Sequence, residues 1–240
     1  MSEPTVLPKP PWASVIWRYM ELVDFLSLLQ TRGLWFSRLS DLEDAFEAQI
    51  PKPNLHPSVE MIAEHWPHLA HAVGGPTVAA QLLAEHVAWA KPRSAVNCWY
   101  VSDDESLDMW QAHGPSRGSI AISAPAGRVA EAIHHDGAAI ECFAGAMKYI
   151  DHDHDPVDVD HFLGVFLAKG RQFAFEQELR FIAHRETLLS AGLPVTVDID
   201  KLLDEVVVRT EGSPWILQTV AALIESHGVQ CNVRASNVVG

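Results

Sequence analysis

No stretch of the 240 residues approaches the roughly 20 consecutive apolar positions that a membrane-spanning helix needs, so no membrane partner is expected. Cysteine is scarce: Cys98, Cys142 and Cys231 are an odd number, widely spaced in apolar segments. That usage predicts reduced core thiols and a cytoplasmic location. Basic residues are few, 17 Lys and Arg against 31 Asp and Glu, and the formal charge is −14. Such a surface repels phosphate backbones and anionic membranes, which disfavours nucleic acid as a partner. It still leaves arginines for a local basic pocket, which a small anionic ligand would need. The dinucleotide GxGxxG, the P-loop and the GxSxG elbow are missing. There is no internal repeat and no low-complexity tract. Polar, proline-rich Met1 to Pro11 lacks an apolar core segment and is not expected to be a signal peptide.

What is present describes an ordinary globular chain, 48% hydrophobic and 20% charged. One domain over 1–240 is expected, with a two-helix insertion at 52–92. Strand patterns fall at Val15 to Met20, Leu34 to Ser37, Ala95 to Val101, Gly118 to Ser123, Ala138 to Ile150, Val195 to Ile199, Val206 to Val208 and Val229 to Val233. Helical spacing marks Leu22 to Thr31, stopped at Gly33, then two helices within 57–91, Pro125 to His134, and Val157 to Ala168, stopped at Gly170. Capping boxes at Ser40 to Glu43 and Ser102 to Glu105 predict helices running to Phe46 and through Leu107, Met109 and Trp110. Ser213, Pro214 and Gly228 bracket a last helix. The irregular alternation predicts an α+β fold of small mixed or antiparallel sheets flanked by helices, not a doubly wound parallel sheet.

The chain is expected to be organised around Phe173 to Phe181. Phe173, Phe175, Leu179 and Phe181 alternate, which predicts a half-buried strand with Glu176, Glu178 and Arg180 together on its other face. As a helix, Glu176 and Arg180 would be an i,i+4 ion pair on a solvated face; alternation over nine residues favours the strand.

Other polar clusters carry less. Asp151 to His161 begins like a calcium loop, but Pro156 stands where glycine is needed and Phe162 where glutamate is needed. A solvated acidic loop capping the next helix is the expectation, with no metal. His134-His135 and Glu64-His65 lack partners at ligand spacing. Cys98 lies mid-strand between apolar neighbours and is expected to be an inert thiol despite the later His113.

Several segments resemble a bacterial family carried as domain of unknown function 2971. They are Trp17-Arg18-Tyr19, Trp35 to Arg38 with the acidic run Asp41 to Glu47, Cys98 to Ser102, Met109-Trp110 with Arg117-Gly118, and Phe175 to Arg180. Glu43-Asp44-Ala45-Phe46-Glu47 stands where that family has Asn-Asp-Pro-Phe-Glu. The order Arg18 on a first strand, Ser37 (or Ser102) on a following one, and Glu176-Gln177-Glu178 late in the chain also resembles ADP-ribosyltransferases. No Ser-Thr-Ser triplet accompanies Ser37.

That second resemblance implies an ADP-ribosyltransferase-like fold that uses NAD, as an ADP-ribosyltransferase or an NAD glycohydrolase. By analogy the setting would be a toxin or antiphage defence effector. Glu178 would stabilise positive charge on the ribose, and Glu176 would orient or deprotonate an unknown macromolecular acceptor or water. Arg180 would keep both carboxylates ionised. Arg18 would hold the pyrophosphate, with Ser37 a further ligand and Tyr19, Trp35 or Tyr100 stacking on nicotinamide or adenine. Against this, Arg18 reads equally as a strand-end charge, the aromatics as core, and Ser102 as a helix cap. The alternative function is a non-catalytic module that binds a partner protein. The enzyme predicts that Glu178, Arg18 and Ser37 converge on an aromatic-walled cleft; the module predicts an exposed apolar patch, with the 57–91 helices as its place.

Overall fold

The computed structural model describes residues 12–42, 47–66, 75–133, 141–159, 162–187 and 191–239. Glu43 to Phe46, Leu69, Gly74, the His134-His135 pair, Ala138, Asp160 and His161 lie outside them.

The chain opens with β1 (Val15–Met20), α1 (Leu22–Thr31) and β2 (Gly33–Arg38). Short helices α2 (Lys52–Leu55) and α3 (Val59–His65) precede the longer α4 (Gly75–Ala90). Then come β3 (Ser94–Val101), α5 (Leu107–His113), β4 (Ile120–Pro125), α6 (Ala126–Ala132), β5 (Glu141–Ala146), β6 (Lys148–Ile150) and β7 (Ala168–Gly170). The chain closes with β8 (Glu178–His184), β9 (Gly192–Thr196), α7 (Ile199–Leu202), β10 (Glu205–Val208), α8 (Pro214–Ser226) and β11 (Asn232–Ala235). No helix among the described residues is long and apolar enough to cross a membrane.

The fold is mixed α+β, a sheet flanked by helices. Among the described residues nine strands share one sheet, in place of the small sheets expected, and only β6 and β7 stand apart. Pairing is antiparallel except between β10 and β11 and between β6 and β7. The path runs β11-β10-β4-β1-β3-β2-β9, and β8 joins β3 to β5.

One feature of this sheet positions the site. β8 pairs with β3 along Ser94 to Tyr100 and so occupies one whole edge of it. β1 and β2 must share the other edge. β1 pairs with Tyr100 and Val101, β2 with Ala95 and Val96, and neither register reaches Asn97 to Trp99. The sheet therefore forks there, β1 leaving with β4 and β2 with β9. Side chains supply what the ladder does not: Arg18 Nη1 donates to the Cys98 carbonyl at 2.8 Å, and Asn97 Nδ2 donates to the Trp35 carbonyl at 2.8 Å. A buried carbonyl without a partner would be costly, so the fork needs these donors.

The two faces of β3 and β8 carry separate cores. Ala95, Trp99, Leu179, Phe181 and Ala183 point into the larger one, with Phe25, Leu28 and Leu29 of α1 and Ile216, Val220 and Ile224 of α8. Fully buried Leu179 and Phe181 contribute about 1.5–3 kcal/mol each. Val96 and Ile182 point the other way, under Ile62, Trp66, Leu83 and Val87 of the 52–90 helices and Leu163 to Ala168. β8 is thus buried on both faces, where one wet face was expected.

Several expected elements shift. Residues 171–176 form a 3-10 turn, and the strand begins only at Glu178. The physical reason is the supply of partners: β3 ends at Val101, whose N donates to the Gln177 carbonyl at 3.0 Å, and β5 ends at Ala146, so 173–176 has no ladder to join. Its backbone closes locally instead, Gln177 N donating to the Ala174 carbonyl at 3.3 Å with Gln177 left-handed at φ 38°. Phe175 is 54% exposed, and Phe173 lies under Lys169, whose Nζ stands 4.7 Å from the ring centroid. The helix expected at 157–168 is a 3-10 segment, Phe162–Leu167, leading into β7. Ser106, not Ser102, caps α5, its Oγ accepting from Met109 N at 3.3 Å. At Ser40 only a 3-10 turn forms, Leu39–Asp41, and Leu42 is extended. α1 ends on left-handed Arg32, with Gly33 already in β2. Ser213 precedes α8 without a side-chain cap.

Candidate active site

The site is built where the sheet forks. Glu178 and Arg180 lie on the same face of β8, opposite Tyr100 and Cys98 of β3. That face is closely covered: a Cβ on Gly145, the β5 partner of Arg180, would stand 2.3 Å from Leu167 Cδ1. Leu167 can pack over the sheet only because that position is glycine.

Arg180 is 1% exposed, and all of its nitrogens have acceptors. Nε donates to Glu178 Oε1 at 2.6 Å and Nη2 to Glu178 Oε2 at 3.2 Å. Nη1 donates to Glu47 and, at 2.9 Å, to the Phe166 carbonyl. Lys169, also buried, completes the cluster. Its Nζ is 2.6 Å from Glu176 Oε2, 3.8 Å from Glu178 Oε2 and 3.9 Å from Glu47 Oε2. Glu178 is further held by Tyr149, whose hydroxyl accepts from its backbone N at 2.8 Å, and Cys98 lies beside it on the same face of the neighbouring strand.

The two carboxylates of the Glu-x-Glu pattern diverge electrostatically. Burial would raise Glu178, but the charge and hydrogen bonds of Arg180, then Cys98 and Lys169, hold it below the ordinary glutamate value. Burial raises Glu176, and Lys169 does not fully cancel it. Lys169 itself would be lowered by burial, yet Glu176, Glu178 and Glu47 lift it above the usual lysine value. Burial beside Glu178 pushes the Cys98 thiol up, which keeps it protonated and unsuited as a nucleophile. Burial lowers His113, with Arg18 and Lys169 adding to the effect.

A cavity of ≈ 450 Å³ opens onto this cluster. Arg18, Tyr19, Tyr100, Glu176, Glu178 and Arg180 all line it, with Trp17, Trp99, Phe173 and His113 among its walls and Glu47, Cys98 and Lys169 at its charged end. Ser37 and Trp35 do not line it. They line a second cavity, ≈ 330 Å³, in the fork between β1, β2 and α1. The two cavities share Arg18, Tyr19 and His113. Glu176 reaches the site from the 3-10 turn rather than from the strand, so the shared-face expectation holds for Glu178 and Arg180 alone. Tyr19 is mostly core: it stacks on Trp17, meets Trp110 edge-on at 5.0 Å, and its hydroxyl accepts from Ser106 N. Ser102 stands apart, its Oγ accepting from Asp104 N at 3.1 Å.

Sequence reasoning missed Glu47, Lys169 and Tyr149 as members of the site. Glu47 lies inside the acidic run Asp41 to Glu47, and nothing in the local sequence separates it from the other acids there. Lys169 and Tyr149 sit on two short strands that no periodicity resolves.

The acidic stretch after β6 is organised by the protein. Asn54 donates to the Val157 carbonyl at 2.9 Å and accepts from Val157 N at 3.0 Å. Asp151 pairs with His154, Asp155 with Arg171, and Asp153 with Lys52. Among the described residues no group of three or more His, Cys, Asp or Glu is placed to hold a metal ion. His65 pairs with Asp158 at 2.9 Å. On the 52–90 helices, Leu55, Val59, Leu82 and Trp89 expose apolar surface.

No protein-family model matches the chain, so none supports the resemblance to domain of unknown function 2971, and no curated protein matches it either. Two solved structures of DarT from Thermus sp. 2.9 are similar over nearly the whole length. The complex with ADP-ribosylated ssDNA has a TM-score of 0.40 and 10% identity, covering 97% of this chain and 98% of that one. The complex with NAD+ has a TM-score of 0.36 and 9% identity, covering 96% and 98%.

Proposed function

We propose that the chain cleaves the nicotinamide–ribose bond of NAD and passes ADP-ribose to a macromolecular acceptor or to water. The observation that carries this reading is the polarity of one cavity. Glu178 and Glu176 stand at one end, and Arg18 lies where that cavity meets the next. NAD has the complementary polarity, a cationic pyridinium at one end and an anionic pyrophosphate further along.

As the C1′–N1 bond breaks, its electron pair goes to the pyridinium nitrogen. Nicotinamide leaves neutral and the ribose becomes positive. A carboxylate already ionised and held in place stabilises that charge without reorganising, and Glu178 fits the part. Glu176, with the higher proton affinity, takes the acceptor's proton as the new bond to C1′ forms. Arg18 spends one donor on the Cys98 carbonyl, and its other N–H groups are suited to phosphate oxygens. Tyr100 and Tyr19 form walls for the nicotinamide, and Ser37 adds a polar contact in the adjoining cavity. Arg180 touches no substrate in this reading and acts by holding Glu178.

The test is nicotinamide release from NAD by wild type and Glu178→Gln, with water, cell protein or single-stranded DNA as acceptor. The last is the acceptor carried, as ADP-ribosylated ssDNA, in one of the DarT structures. Release by wild type and its loss in the variant are expected; absence of both release and NAD binding under every condition sinks the reading. A bacterial toxin or antiphage effector is the setting proposed for this activity, checked by growth arrest on expression that Glu178→Gln abolishes. The competing reading, a protein-binding module, has the exposed Leu55, Val59, Leu82 and Trp89 on its side. It predicts that removing the cavity charges leaves function intact.

A further inference from the structure

The geometry points to Glu47 as a positioning residue of this site, one that fixes the place of the Glu178 carboxylate by acting through Arg180. Glu47 is 2% exposed and reaches β8 from outside the sheet. A guanidinium is planar, and Arg180 binds its two carboxylates at different parts of that plane: Nε and Nη2 hold Glu178, while Nη1 holds Glu47. Arg180 cannot turn about its own axis without leaving one of them. The Phe166 carbonyl, 2.9 Å from Nη1, pins the same edge.

Glu178 needs such a hold. It is the first residue of β8, directly after left-handed Gln177, where the strand ladder stops. Three charges exposed by 6% or less are expensive to desolvate, and apolar residues of similar volume would serve stability as well or better. The buried triad is therefore better explained by the geometry it imposes. Lys169, within 3.9 Å of both Glu47 and Glu178, adds charge balance but has its short contact with Glu176.

The catalytic part of this inference rests on the NAD reading, and the positional part does not. The test uses the full chain with Glu47→Gln, which removes the charge, and Glu47→Asp, which keeps it one methylene short. Two quantities are read. One is the kcat and KM of nicotinamide release. The other is the infrared S–H stretch of Cys98, which faces the same cavity as Glu178 from the neighbouring strand and so senses where that carboxylate's charge stands; a Cys98→Ser variant identifies the band. In Glu47→Gln, kcat is expected to fall about 10²-fold, the scale on which a ~1 Å misplacement acts, with KM unchanged. The S–H band is expected to shift as the carboxylate swings away, and Glu47→Asp should recover part of both changes. A folded Glu47→Gln with an unmoved band, or with wild-type kcat, overturns the inference, as does a rise in KM alone. Should Glu47→Gln fail to fold, Glu47→Asp decides on the same two quantities. If wild type releases no nicotinamide, the NAD reading fails by itself, and the band alone decides whether Glu47 places Glu178.

Discussion

Two cavities of nearly equal volume border two acid–arginine clusters, and they teach different things. The one just described, ≈ 450 Å³, has Glu47, Glu176 and Glu178 against Arg18, Lys169 and Arg180. The other, ≈ 480 Å³, has Asp103, Asp104, Glu105, Asp204 and Glu205 against Arg234. In the second, Glu105 accepts from Arg234, Ser236, Trp110 Nε1 and Asn237 N, and Arg234 also reaches Glu205. Those bonds tie β11 and the residues after it to α5, and Val239 is buried there with Trp110. Glu105 has no capacity left for a ligand, and the remaining acids would repel phosphate. The first cavity instead mixes both signs and keeps Arg18 only partly engaged. Size does not separate a clamp from a site; unspent bonding capacity and charge polarity do.

The same isosteric change in each cluster separates the two most sharply. Glu178→Gln should lower kcat for nicotinamide release about 10²–10³-fold, the cost of losing a preorganised electrostatic group, with NAD affinity nearly kept. Glu105→Gln should leave kcat within about twofold and lower stability by about 2 kcal/mol, read in a denaturant titration. Burial would raise the pKa of Glu105, but its bonds to Ser236, Arg234, Trp110 and Asn237 lower it. A depressed folded pKa contributes stability above the unfolded carboxylate value and loses it as pH falls through the folded one. The difference between wild type and Glu105→Gln should therefore shrink below about pH 4. Equal activity losses in both variants would erase the distinction between clamp and site.

How much of this was legible in the sequence follows from the same contrast. β1, α1, β3 and α8 were readable because their periodicity is local and each sends an apolar face into the larger core. Glu178 and Arg180 were readable as neighbours on a strand face, since two-residue spacing survives any tertiary context. The nature of that face was not. A charged stripe on a strand ordinarily means water, and only the second core and the reach of Glu47 bury it. Phe173 and Phe175 misled because alternation records what a segment offers, while a strand also needs a partner edge, and β3 and β5 end too soon. The capping box at Ser102 failed for a related reason: Glu105 is spent on the C-terminal segment, so the cap passes to Ser106. The fork itself has no local signature, because it depends on two registers meeting on one edge of β3.

Arg18 tests the junction of the two cavities. Arg18→Ala should raise KM for NAD about tenfold or more, as losing charge-assisted bonds worth ~1.5–3 kcal/mol requires, with kcat less affected. It also removes the donor to the Cys98 carbonyl, so a modest fall in thermal midpoint should accompany it. Arg18→Lys should recover charge but not the bidentate geometry, leaving KM between the two. Glu176 tests the near end by pH. Its pKa is raised by burial despite Lys169, whereas that of Glu178 is lowered. A base must be ionised, so kcat/KM should climb with pH through a midpoint above the ordinary glutamate value, set by Glu176. Glu176→Gln should flatten that limb, and an unchanged limb in the variant would remove Glu176 from the base role.

Ser37 gives the smallest and most discriminating effect. It lies on β2, across the fork, in the cavity joined to the first through Arg18, Tyr19 and His113. If NAD extends through the fork, Ser37→Ala should raise KM about two- to fivefold and leave kcat alone, because a neutral hydrogen bond contributes ~0.5–1.5 kcal/mol. A ligand confined to the ≈ 450 Å³ cavity would be indifferent to Ser37. The same measurement with nicotinamide mononucleotide in place of NAD separates the cases. The shorter ligand should be insensitive to Ser37→Ala while remaining sensitive to Glu178→Gln. Sensitivity of both ligands to Ser37 would mean that the nicotinamide end lies in the fork, which reverses the orientation assigned here and moves the chemistry away from Glu178.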